Sequence, residues 1–162
     1  MVTLCCITAR CGYRVKTMDP NIERQYFLEK IADFVAALEE HSGELHVTED
    51  HRVLFRVSGR PFEAMTMIDE ELDLIVVTTR TADIALSELQ QAVQVLQEAM
   101  RICWEHCVAV SPISISAEQN RYDLSMAVIA GGFTFEAFEG VVYNLLSCAE
   151  EIEEHVKPKK KK

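Results

Sequence analysis

The stretch Val53-Leu-Phe-Arg-Val-Ser-Gly-Arg-Pro-Phe-Glu-Ala-Met-Thr-Met-Ile-Asp-Glu-Glu-Leu-Asp-Leu-Ile-Val-Val-Thr-Thr79 decides the fold class. Val53, Phe55 and Val57 fall at every second position, with Arg52, Arg56 and Ser58 among their neighbours, the period-two signature of a half-buried strand. Ser58-Gly59-Arg60-Pro61 reads as a turn, Phe62 to Ile68 as a second strand, and Asp69-Glu70-Glu71 as an acidic turn. Leu72 to Thr79 forms a third strand whose apolar run Leu74-Ile75-Val76-Val77 predicts a central strand buried on both faces. Three consecutive strands joined by short turns make an antiparallel meander.

On the N-terminal side the period is helical. Asp19-Pro20 is an N-cap followed by proline at the first helical position. Phe27, Ile31, Phe34, Val35 and Leu38 then keep the spacing of an amphipathic helix, which Ser42-Gly43 is expected to end. On the C-terminal side Thr81 or Asp83 caps a helix predicted from Ile84 to about Val108, with Pro112 as its latest end. Leu86, Leu89, Val93, Leu96, Met100, Cys103 and Cys107 form one apolar stripe, broadened by Val95, Ile102 and Trp104. At about 25 residues, twice the mean helix length, it is expected to be the longest element, with more apolar face than one small sheet needs. Two strands follow, Ile113–Ser116 and a segment alternating at Tyr122, Leu124, Met126 and Val128, with Glu118-Gln119-Asn120 as the turn. Gly131-Gly132 breaks the chain and Thr134 caps a last helix to about His155. Its predicted buried face is Phe138, Val141, Val142, Leu145, Leu146, Ala149 and Ile152. The fold class is therefore α+β, with a mainly antiparallel sheet and the order α-β-β-β-α-β-β-α.

The charge is segregated. Of 16 basic residues, Arg10, Arg14 and Lys16 precede Asp19, and Lys157 and Lys159 to Lys162 follow Val156. All 26 acids lie between, so that segment carries 8 − 26 = −18. Such a surface repels phosphate backbones and is expected to exclude nucleic acid as a partner. It favours a basic or mixed-charge polypeptide. No apolar run approaches the roughly 18 residues of a membrane span, so no membrane partner is expected. The organisation expected is a leader at 1–18, disordered or preceding a true start at Met18, one domain at 19–156, and a solvated basic tail at 157–162.

The last third carries a family resemblance. Ile113-Ser-Ile-Ser-Ala-Glu-Gln-Asn-Arg-Tyr-Asp-Leu-Ser-Met-Ala-Val-Ile is similar to the final hairpin of the type III secretion chaperone-like and YbjN families. Ala130-Gly-Gly-Phe-Thr-Phe-Glu-Ala-Phe is similar to their glycine turn into the last helix. With the element order, the resemblance covers about Asp19 to Val156 and includes no invariant catalytic signature. It implies a non-enzymatic, homodimeric, cytoplasmic protein that holds an extended segment of a partner polypeptide. The alternatives are a YbjN-type regulatory protein and a small metal-dependent enzyme.

No catalytic or cofactor constellation is evident in the chain. His41, His46 and His51, with Glu44, Glu49 and Asp50 nearby, fit no metal-ligand motif and read as loop histidines. His106 and Cys107 are adjacent, a spacing that does not let helical side chains face each other. Gly131-Gly132 lacks the context of a phosphate loop, and Glu150, Glu151, Glu153 and Glu154 read as a solvated helix end. Cys103 and Cys107 are expected as small core hydrophobes, and six cysteines without a paired C-x-x-C suit a reducing cytoplasm. The expected polypeptide-binding residues are Phe62, Met65, Met67 and Met126, since methionine adapts to varied partners. The expected dimer contact is Leu89, Val93, Leu96, Met100 and Trp104 on the helix Asp83–Val108.

Overall fold

The computed structural model describes residues 19–67, 73–84, 89–115 and 120–156. The leader, the basic tail, the acidic turn at Asp69-Glu70-Glu71, Leu86, and Glu118-Gln119 lie outside the described residues. Three helices cover one face of a six-stranded antiparallel sheet. In chain order these are α1 (Pro20–Ala37), β1 (His46–Val47), β2 (Arg52–Val57), β3 (Arg60–Met67), β4 (Leu74–Arg80), α2 (Leu89–Glu105), β5 (Ala109–Ile115), β6 (Asn120–Ile129) and α3 (Phe135–Val156). The strands lie in the order β1-β2-β3-β4-β6-β5. The predicted order holds, with the two-residue edge strand β1 added to it.

Local chemistry sets most boundaries. Asp19 accepts from the Asn21 amide at 2.8 Å and caps α1. That helix stops at Ala37, short of Gly43, because the chain folds back along β2: Ser42 N donates to the Arg56 carbonyl at 3.1 Å and Ser58 N to that of Glu40 at 3.1 Å. The hairpin turn is only Ser58-Gly59, with φ of 50° and 76°, the left-handed pair that a two-residue turn requires. Arg60 and Pro61, expected in the turn, already belong to β3.

Helix α2 departs most from expectation. Its described part is Leu89–Glu105, with residues 85–88 before it outside the described residues, and it ends seven residues before Pro112. Its stop is a Schellman turn: Val108 N reaches the Cys103 carbonyl at 2.8 Å, Cys107 N reaches that of Trp104 at 3.2 Å, and Cys107 takes the left-handed position at φ 55°. Cys107 is consequently exposed, not a core residue. Pro112 instead sits in the edge strand β5, beside a bulge between Pro112 and Ser114, where a missing N–H is tolerated.

The core lies between the sheet and the helices. Val53, Phe55, Val57, Phe62, Ala64, Ile75, Val77, Tyr122 and Leu124 point to it from the strands. The seven predicted apolar residues of α3 are all buried. Phe138 is the hub of an aromatic cluster, with ring centroids 5.8 Å from Phe133, 6.0 Å from Phe55 and 6.1 Å from Phe34. Lys30 fastens α1 to the turn before α3, donating to the Phe133 carbonyl at 2.7 Å while lying 5.5 Å from the Phe34 and Phe133 ring centres. Central strand β4 is buried on one face only: Ile75, Val77 and Thr79 are buried, and Leu74, Val76 and Thr78 are half-buried. Among the described residues no helix lies over the other face of the sheet.

Candidate functional site

The uncovered sheet face is divided in character along the strands. Register places Met67, Leu74 and Ile129 side by side across β3, β4 and β6, and Met65, Val76 and Ala127 in the next row. These six side chains form an apolar end, with Met67 53 % and Ile129 60 % exposed. Toward the opposite end follow Leu54, Glu63, Thr78 and Ser125, and then Pro61, Arg80 and Asp123. A shallow depression of about 290 Å³ opens on this polar half, lined by Leu54, Pro61, Glu63, Thr78 and Arg80. Its charges are internally matched: Arg52 pairs with Glu63 at 2.6 Å, and Arg80 with Asp123 at 2.8 Å.

Two of the four expected polypeptide-binding residues, Met65 and Met67, belong to the apolar end of this face. Phe62 does not: it is buried on the helix side, stacked on Phe55 at 5.5 Å. Met126 also faces the helices, where its sulfur accepts from Asn144 Nδ2 at 3.2 Å. The sequence carried the signal for both placements. Phe62 is an odd number of residues from Met65 and so points to the opposite face, and Met126 is in phase with the buried Tyr122 and Leu124. Leu74, Val76, Ala127 and Ile129 were the residues missed.

A second apolar surface lies on α2. The buried side of this helix is Ala92, Val95, Ala99, Ile102 and Cys103, packed on α3 and β5. Ala92 and Ala99 are fully buried on that side, while several large side chains turn outward. Val93 is 55 % exposed, Met100 54 % and Trp104 84 %, with Leu96 half-buried beside them. The side chain of Leu89 lies outside the described residues.

The α2–α3 contact also holds a polar clamp. Asn144 donates through Nδ2 to the His106 carbonyl at 2.8 Å, so its Oδ1 accepts from His106 Nδ1–H at 2.9 Å. Glu151 accepts from Nε2–H at 3.0 Å. With both ring nitrogens donating, the imidazolium is the favoured form, and the Asn144 and then the Glu151 hydrogen bonds raise the His106 pKa above its ordinary 6.5. A raised folded-state pKa stabilises the fold below the ordinary value, and the contribution is lost as pH rises through the raised one. Unfolding by urea should therefore need less denaturant as pH increases from about 6 to about 9, and His106→Asn should flatten this dependence. An unchanged slope in the variant would remove His106 as its source.

Two residues beyond Glu151 on α3, Arg60 makes a two-pronged pair with Glu153, both contacts at 2.9 Å, and Glu153 also accepts from the Ala82 amide at 2.6 Å. The acidic cluster expected as a solvated end is thus split, with Glu151 and Glu153 tied inward and Glu150 and Glu154 exposed. The adjoining cleft of about 610 Å³ gathers Arg60, Arg80 and Arg121, each facing a carboxylate, with Arg121 on Asp83 at 2.7 Å. His41 bridges to β2, His46 lies in β1, and His51 occupies a turn at φ 61°. Among the described residues no three His, Cys, Asp or Glu side chains are grouped to hold a metal ion. Among those residues no helix is long and apolar enough to cross a membrane.

No family model and no curated protein matches the sequence. The architecture matches the crystal structure of the ExsC-ExsE complex with a TM-score of 0.57 at 16 % identity, over 86 % of this chain and 97 % of that one. It also matches the crystal structure of an uncharacterized protein from Methanothermobacter thermautotrophicus, with a TM-score of 0.58 at 9 % identity, over 79 % and 97 %. At these identities the likeness is one of fold. The shared fold is a mixed α+β arrangement, a six-stranded antiparallel sheet with three helices.

Proposed function

We propose that this chain is a non-enzymatic, chaperone-like binding protein that holds an extended segment of a partner polypeptide on the open sheet face. The observation that carries this reading is the contiguous apolar end formed by Met65, Met67, Leu74, Val76, Ala127 and Ile129. A soluble protein rarely leaves such a patch uncovered without a use for it. An extended segment with apolar residues at alternate positions would match the two-residue period of the strands beneath it. Lysine or arginine between those positions suits the −18 charge of residues 19–156. The likeness to the fold of the ExsC-ExsE complex supports a polypeptide as the partner class. A peptide array tests the reading: alternating apolar and basic peptides should bind, and acidic or helical-period peptides of the same composition class should not. Equal binding of all classes would refute it. The same face serves a YbjN-type regulatory protein, whose partner would be a regulated protein and not a carried client; the identity of the natural partner separates the two.

The outward stripe of α2 is the proposed contact with a second copy. Val93, Leu96, Met100 and Trp104 present a long apolar ridge, and a tryptophan at 84 % exposure is a typical anchor of an interface. Sedimentation should show a dimer at micromolar concentration. Trp104→Glu should raise the dissociation constant at least about thirtyfold, the effect of losing one anchor residue. A wild-type monomer at that concentration would dispose of the homodimer.

A further inference from the structure

Where α2 crosses α3, two thiols touch. Cys103 and Cys148 are 1 % and 0 % exposed, and their Sγ atoms are 3.7 Å apart. They are 45 positions apart in sequence, so only the helix crossing brings them together. We propose that Cys103 and Cys148 are an oxidation site, forming a reversible disulfide that ties α2 to α3 when the protein meets a peroxide. A disulfide needs the sulfurs at about 2.05 Å. The gap to be closed is then about 1.6 Å, within reach of side-chain rotation and a small helix shift. Cys103 lies in the last turn of α2, where a helix opens most readily.

The surroundings distinguish the two roles. The two sulfurs share one hydrogen bond in which either can donate, and that bond together with burial pushes the Cys148 thiol up. Cys103 is pushed down by the hydrogen bond with Cys148, with the His106 charge nearby adding to the effect. Cys103 is therefore the attacking sulfur. Its thiolate attacks one peroxide oxygen, the O–O bond breaks, and the departing hydroxide takes up the proton that Cys103 released, giving water and a sulfenic acid. The Cys148 sulfur then attacks the Cys103 sulfur. The S–S bond forms, the S–O bond breaks, and the hydroxide leaves with the Cys148 proton as a second water. Two thiols give up two electrons and two protons, and one peroxide becomes two waters. Burial selects for a small oxidant: bulky disulfides such as oxidised glutathione reach the exposed Cys107 instead.

The test uses the full chain. Native protein is treated with hydrogen peroxide, its free thiols are blocked with iodoacetamide, and the tryptic peptides are weighed. Cleavage after Arg101 and Arg121 places Cys103 and Cys107 on one peptide and Cys148 on another. The expected product is a link between these peptides lighter by two hydrogens. It should be reversed by dithiothreitol, retained in Cys107→Ser, and accompanied by a higher thermal midpoint. Recovery of Cys103 and Cys148 as blocked free thiols, loss of the link in Cys107→Ser, or a link from Cys148 to Cys5, Cys6 or Cys11 would each overturn the assignment.

Discussion

Replacing Phe138 with alanine is expected to lower the unfolding free energy by about 3–5 kcal/mol, the cost of deleting a buried ring and leaving a cavity. Phe138 is fully buried and meets Phe34, Phe55 and Phe133, so α1, β2, α3 and the turn before α3 all lose packing at once. Since total stability is typically about 5–15 kcal/mol, this one change removes a large part of it. The control is Ile22→Ala, which trims an exposed side chain and should cost less than about 0.5 kcal/mol. Chemical denaturation measures both. A Phe138→Ala cost below about 1 kcal/mol would mean that the aromatic cluster is not the centre of the core.

The largest functional effect is expected from Met67→Lys combined with Ile129→Lys. These residues flank Leu74 in one row and are already more than half exposed, so the lysines should be tolerated by the fold. The pair replaces apolar contact by two cations facing a basic partner. Binding of an alternating apolar and basic peptide should weaken at least about 100-fold, as expected when two anchor contacts are lost. The conservative pair Met67→Leu and Ile129→Val keeps the apolar surface and should stay within about threefold, since near-isosteric apolar swaps cost little. Fluorescence anisotropy distinguishes these outcomes, and equal affinity for the lysine variant would remove this end of the sheet from the site.

Much of this was legible in the sequence, for identifiable reasons. Alternation at Val53-Phe55-Val57 and Tyr122-Leu124 named core-facing residues directly, because a strand's period of two survives any arrangement of its neighbours. The seven residues read for the apolar stripe of α3 are all buried, with Cys148 added to them. The side of α2 was not legible, because size misled: Val93 and Met100 look like core yet are more than half exposed, while Ala92 and Ala99 are buried. The run Leu74-Val77 looked buried on both faces, although no strand's own pattern says how many layers of helix the chain supplies. His106 with Asn144 and Glu151, and Cys103 with Cys148, were invisible because their partners lie 38 and 45 positions away and meet only through the helix crossing.

The central claim is that the uncovered sheet face receives an extended polypeptide, and mapping backbone amide shifts on adding an alternating apolar and basic peptide tests it most directly. The expected changes gather at Met65, Met67, Leu74, Val76, Ala127 and Ile129 on β3, β4 and β6. Changes confined to the cleft of Arg60, Arg80 and Arg121, or to the helices, would contradict it.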